Sequence, residues 1–168
     1  MTAELSTPFH TAPGEGLAVW QLGALLTFKV TSEATGGRCW AKELLAPRGM
    51  ASPRHVHSQE DEAFYVLDGE VSIYVGADVI RAVPGSFVWG PRSVPHAFCV
   101  ESETAKMLVF GTAPGFDRFF RDTGTPAVSH TLPAPATEAP DLNTLVAAAR
   151  KHGVEVTGPP PVPSAMNA

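Results

Sequence analysis

Cysteine is nearly absent from this chain: of 168 residues only Cys39 and Cys99 carry a thiol. Two isolated cysteines make neither a C-x-x-C redox pair nor a disulfide framework, so two reduced thiols are expected and the fold must rest on its core. Positive charge is scarce too. Twelve Lys and Arg against seventeen Asp and Glu leave a net charge of −5, which argues against nucleic-acid binding. No apolar run approaches the roughly 18 residues of a membrane span. The amino end, MTAELSTPFHTAPGEG, has neither a basic nor an apolar stretch of the kind a secretory leader needs, so a cytoplasmic protein away from membranes is expected.

What is plentiful is proline and glycine, 16 and 15 residues, a composition of turns rather than long helices. From about Leu17 to Thr112 the chain repeats short runs rich in Val, Ile, Phe and Trp, broken by Gly or Pro. This spacing predicts an all-β sandwich or barrel, with strands near 18–22, 25–30, 38–45, 54–57, 63–67, 70–75, 79–82, 86–89, 96–100 and 106–111. Asp68-Gly69 between two of these runs predicts a tight two-residue hairpin of type I′. Beyond the strands, Gly115–Arg121 reads as a short helix with Phe116, Phe119 and Phe120 on one face. Asp141–His152 reads as a second helix, capped by Asp141 and stopped by Gly153. The expected division is an N-terminal arm over 1–16, a barrel over 17–125, an extension with a helix over 126–157, and a flexible Pro-rich tail over 158–168.

Six histidines occur, and two stand as His55-x-His57. Residues two apart on a strand share a face, so these imidazoles point the same way. Glu62 opens the next strand on the same face as Phe64 and Val66, and an inward carboxylate is costly unless a cation balances it. His96 would lie on the inward row of its own strand with Phe98 and Val100. Three imidazoles and one carboxylate suit one divalent ion, Fe, Mn, Ni, Co or Zn, without choosing among them. His10, His130 and His152 fall outside the strand pattern and are expected at the surface; Arg92, in the turn before His96, is expected there too, with contact to an anionic substrate as the alternative; Glu60 and Asp61 read as a solvated acidic bend, with orienting the histidines as the alternative.

The stretch Gly49–Gly69, GMASPRHVHSQEDEAFYVLDG, resembles the first cupin motif, G-x5-H-x-H-x(3,4)-E-x6-G, at every fixed position. Gly85–Val100 resembles the second at Gly85, Pro91 and His96, and departs from it at Ser93, where the motif has Gly, and at Val100, where it has Asn. The resemblance implies a double-stranded β-helix barrel of cupin or jelly-roll type with short C-terminal helices, and carries over His55, His57, Glu62 and His96 as metal ligands. HVHSQEDEAFYVLDGEVSIYV, together with VFGTAPGFDRFFRDTGTPA and KHGVEVTGPP, is similar to bacterial one-domain cupins of the quercetin 2,3-dioxygenase-like group. That likeness implies a dioxygenase acting on a small aromatic or enolic, flavonol- or polyketide-like compound, with Glu62 as catalytic base and dioxygen as co-substrate. A non-oxidative metal enzyme (isomerase, cyclase or hydrolase) and a non-catalytic binding barrel are the alternatives. Phe64 and Phe98 are the first candidates for the pocket wall, followed by Phe28, Trp40 and Met107, and the exposed edges of such a barrel make a homodimer the expected assembly.

Overall fold

A computed structural model describes residues 8–135 and 140–164. Parts of the expected arm, extension and tail, at 1–7, 136–139 and 165–168, lie outside the described residues. In chain order the elements are β1 (Leu17–Gln21), β2 (Ala24–Val30), β3 (Cys39–Pro47), β4 (Arg54–His57), β5 (Glu62–Asp68), β6 (Val71–Val75) and β7 (Asp78–Ala82), then β8 (Phe87–Gly90), β9 (His96–Val100) and β10 (Thr104–Thr112). After them come α1 (Asp117–Thr123), β11 (Thr125–Pro126), α2 (Leu142–Lys151) and β12 (Val154–Gly158).

Two sheets face each other, in the orders β11-β1-β2-β3-β10-β5-β8 and β12-β4-β9-β6-β7. The expected all-β jelly-roll barrel with short C-terminal helices is the fold. Alternation makes it. On β3, Trp40, Lys42, Leu44 and Ala46 are buried while their neighbours are only partly so, and on β10 Ala105, Met107 and Val109 repeat the pattern. The two inner faces close on Phe28, Trp40, Phe64, Ile73 and Met107, each no more than 2% exposed. At about 25 cal/mol per Å2 of apolar surface, burying such side chains supplies most of the drive to close the barrel. No helix among the described residues is long and apolar enough to cross a membrane.

The Asp68-Gly69 hairpin is not formed. β5 pairs with β10 and β8, whereas β6 pairs with β7 and β9 in the opposite sheet, so the connection is a corner between sheets. Type I′ geometry needs positive φ at both turn residues, and here Gly69 has φ 78° but Asp68 is not positive. The glycine serves a close approach instead: a Cβ at Gly69 would sit 2.3 Å from the Thr104 carbonyl oxygen. Two-residue turns occur at Gly76-Ala77 and at Leu22-Gly23, where Leu22 adopts φ 51°.

α1 begins two residues later than expected, because Gly115 at φ 117° is not helical. α2 has the expected cap, the Asp141 carboxylate accepting from the Asn143 and Thr144 amides. β12 had no strand assignment in the sequence reading: Val154 and Val156 offer too short an alternation, and the strand exists because β4 is there to pair with it, Val154 opposite His57 and Val156 opposite His55. The described part of the Pro-rich end lies along the barrel, Pro159 accepting from the Arg54 amide and Ser164 donating to Glu101.

Candidate metal centre

His55 and His57 come from β4, and their rings are 5.1 Å apart. His96 opens β9 directly opposite His55, with ring centroids 4.6 Å apart. Glu62 comes from the facing sheet at the start of β5, held between Gly90 and Gly111 of the neighbouring strands. Each of the four offers a ligand atom within 4.8 Å of the others. The tight turn before His96 runs through Ser93 at φ 65°, the backbone conformation that the glycine of the motif would adopt freely.

The imidazoles are oriented for a common task. The Nδ1 of His55 lies 2.7 Å from the Pro53 carbonyl oxygen and that of His96 3.0 Å from the Val94 carbonyl oxygen. A carbonyl can only accept, so Nδ1 carries the proton and Nε2 turns inward. His57 turns its Nδ1 toward the Glu60 carboxylate at 3.4 Å and its Nε2 toward Glu62 at 3.8 Å, and both its nitrogens are buried without a hydrogen bond. A buried, orphaned imidazole facing a carboxylate and two further Nε2 atoms is a poor arrangement for a dry core and a good one for a cation. The donor set fits a single divalent ion.

Without the ion, the cluster's charges settle on a proton. Burial would raise the Glu62 carboxyl, but the hydrogen bond from His96, the nearby His57 and the charge of Lys42 outweigh it and bring it down to about 2. Burial likewise opposes charge on His96, yet its contact with Glu62 leaves its pKa raised. His55 is pushed down to about 3, chiefly by burial and then by His96. An ion at the three Nε2 atoms would take the place of that proton.

Glu60 is no solvated bend residue. It is 3% exposed, and its Oε1 accepts from Trp40 Nε1 (3.1 Å) and from the Gly115 and Phe116 amides (2.7 and 2.8 Å). Its other oxygen faces His57, so one carboxylate ties a candidate ligand to the start of α1. Asp61 and Arg92, expected at the surface, are engaged with each other, Arg92 donating through its amide, Nε and Nη2. Among the remaining histidines His10 and His130 are exposed, but His152 is half-buried and lies 3.0 Å from Asp122.

An apolar cavity open to solvent adjoins the cluster on the side of His55 and Glu62. Phe116, at the cap of α1, and Phe119 and Phe120 within it line it, and Leu142, Leu145, Val146 and Ala149 of α2 complete the lining. Of the five residues proposed for a pocket wall, Phe64 and Phe98 line this cavity, whereas Phe28, Trp40 and Met107 are buried away from it. Trp40 lies against Gly111, where a Cβ would come within 2.2 Å of the indole, and Lys42 takes the wall position of β3 instead. Lys42 was not singled out as functional from the sequence, and for Glu60 an orienting role stood only as the alternative to a solvated bend. Lys42 had a signal, a cation on the inward row between Trp40 and Leu44; for Glu60 the signal was its place between His57 and Glu62, since a bend carries no phase.

The fold and the cluster together define a class, and the comparisons agree. A family model described as Cupin domain matches residues 41–111. This match, together with the fold, supports a cupin superfamily protein. It is 28% identical over 128 residues to the quercetin 2,3-dioxygenase of Bacillus subtilis (strain 168), covering 76% of this chain and 38% of that protein. The chain thus spans well under half the length of that relative. Among solved structures, KdgF from Halomonas sp. superimposes with a TM-score of 0.59 at 15% identity, over 67% of this chain and 99% of that one. An RmlC-like cupin from Shewanella frigidimarina does so with 0.55 at 18%, over 67% and 96%. Both likenesses concern the fold.

Proposed function

We propose that the protein is a metal-dependent dioxygenase acting on a small aromatic or enolic compound of flavonol or polyketide type. The observation that carries this reading is the convergence of His55, His57, Glu62 and His96 at the edge of an apolar, aromatic-walled cavity. The 28% identity to a quercetin 2,3-dioxygenase supports the choice of reaction. When bound, a divalent ion would supply Lewis acidity and a coordination position open to the substrate.

The chain's own residues do the rest. The Nε2 atoms of His55, His57 and His96 would hold the ion, the Nδ1 atoms of His55 and His96 being fixed by the Pro53 and Val94 carbonyls and that of His57 facing the Glu60 carboxylate at 3.4 Å. Glu62 receives the proton of the substrate hydroxyl on its carboxylate oxygen, within hydrogen-bond reach of the ion's neighbours. Phe64, Phe98 and the phenylalanines of α1 strip water from a flat ring, and α2 completes the lining. A homodimer fits the same reading: Phe87 and Trp89 on the edge strand β8 are 62% and 45% exposed beside Tyr65 and Leu67.

Oxygen uptake by protein loaded in turn with Fe, Mn, Co, Ni and Zn, against quercetin and related phenols, tests the proposal. Uptake that disappears in His57→Ala is expected. Metal-loaded protein that consumes no oxygen across the panel would contradict it, and turnover that persists anaerobically would favour a non-oxidative reaction.

A further inference from the structure

Beyond the charge by which it helps keep Glu62 ionised, Lys42 has no part in the chemistry above. It stands in the middle of β3 on the inward row and is 4% exposed. In register it lies beside Val109 of β10, which lies beside Phe64 of β5, so Lys42 occupies the cross-strand row next to the one holding Trp40, Gly111 and Glu62. Its ammonium reaches the cavity wall and sits over the face of Phe120, 3.1 Å from the ring centroid, and 5.0 Å from that of Trp40.

Those rings stabilise the charge but accept none of its three N–H bonds in the way an oxygen would. Among the described residues no hydrogen bond or ion pair engages Nζ: of the nearby carboxylates, Glu60 accepts from Trp40, Gly115 and Phe116, Glu62 contacts His96, and Asp117 accepts from the Ser32 amide on Oδ2 while its Oδ1 is buried without a partner, so these charges act on Lys42 without bonding it. A Met or Leu would fill the same volume without the cost of desolvating a cation. The cost is explicable if the cavity's occupant brings the missing acceptor.

We propose that Lys42 is the anion-recognition residue of the cavity, its ammonium binding a carboxylate or phenolate oxygen of a small ligand whose apolar body lies against Phe64, Phe98 and the phenylalanines of α1. This narrows the substrate class to aromatic acids and acidic phenols. It rests on the functional reading only in taking the cavity as the substrate site, and needs neither bound metal nor oxygen chemistry. Burial pushes the Lys42 ammonium down to about 7, and an anion at its head would hold the proton in place.

The test is calorimetric titration of chelator-treated protein with 2-naphthoate and its neutral isostere 2-naphthamide. Wild type is expected to prefer the acid by about tenfold to a hundredfold, the worth of one charge-assisted hydrogen bond. Lys42→Met should abolish that preference, lowering the acid's affinity far more than the amide's, and Lys42→Arg should keep it. Equal affinity in wild type, preference surviving in Lys42→Met, or binding of neither compound at millimolar concentration overturns the proposal. If Lys42→Met does not fold, Lys42→Gln takes its place and the wild-type ratio still decides. Acid preference without oxygen uptake would sink the dioxygenase reading alone; oxygen uptake with uncharged phenols and no acid preference would sink the role of Lys42 alone.

Discussion

Glu60→Gln separates the two tasks of one buried carboxylate. Three N–H donors, from Trp40, Gly115 and Phe116, converge on its Oε1 at 2.7–3.1 Å, and they fix which way the amide of the variant must face, because only its oxygen can accept from them. The amide nitrogen is then forced into the place of Oε2, 3.4 Å from His57 Nδ1. A donor there favours the tautomer with the proton on Nε2, and a protonated Nε2 cannot bind a cation. Losing the partner that orients a metal-binding histidine costs about 10- to 100-fold in metal affinity, about 1.4–2.8 kcal/mol. Stability should fall by only about 1–3 kcal/mol, since charge-assisted hydrogen bonds become neutral ones. Glu60→Ala differs sharply: it strands three buried donors at about 1–3 kcal/mol each, together a large part of a domain's stability. Competition of each variant with a chromogenic chelator for Zn(II), beside a urea titration, reads both quantities. A folded Glu60→Gln protein that binds Zn(II) as tightly as wild type would refute the role assigned to Glu60.

Gly111→Ala should destabilise the protein by several kcal/mol, because its Cβ would meet the indole of Trp40 at 2.2 Å inside a packed core; thermal unfolding unchanged from wild type would contradict the packing. In metal-free protein the unfolded chain protonates His55 below its ordinary 6.5 while the folded chain holds it down to about 3, so stability is lost as pH falls through that window. Between pH 6.5 and 5 the loss is at most about 2 kcal/mol, the worth of one proton at about 1.4 kcal/mol per pH unit. Denaturant titrations should show this slope in wild type and its disappearance in His55→Ala. His96, whose pKa is raised, works the other way, its contribution present below 6.5 and lost as pH rises. Replacing Trp89 on the exposed edge of β8 by Glu is expected to shift sedimentation from dimer to monomer, and a wild type that sediments as a monomer would remove the case for pairing.

Much of the barrel was legible because its strands obey the period of two that the sequence displays. β4 and β9 have the expected ends, and the spacing His55, His57, Glu62, His96 fixed the cluster before any coordinates. What the period cannot reveal is partner choice. Asp68-Gly69 has the composition of a hairpin, yet both edges of β5 are taken by β8 and β10, and the glycine answers to Thr104 rather than to turn geometry. β12 needed β4 to exist as a strand, and Glu60 needed the amides of Gly115 and Phe116, far along the chain, to become a buried support rather than a surface charge. Lys42 was readable in phase but not in purpose, since an inward cation acquires meaning only once the cavity is seen.

The account stands or falls on whether one divalent ion sits where the three Nε2 atoms and the Glu62 carboxylate meet. Anomalous diffraction from crystals grown with Zn(II) measures this directly. One ion per chain is predicted, at about 2.0–2.2 Å from His55, His57, His96 and Glu62; an empty cluster, or an ion held elsewhere, would contradict the central claim.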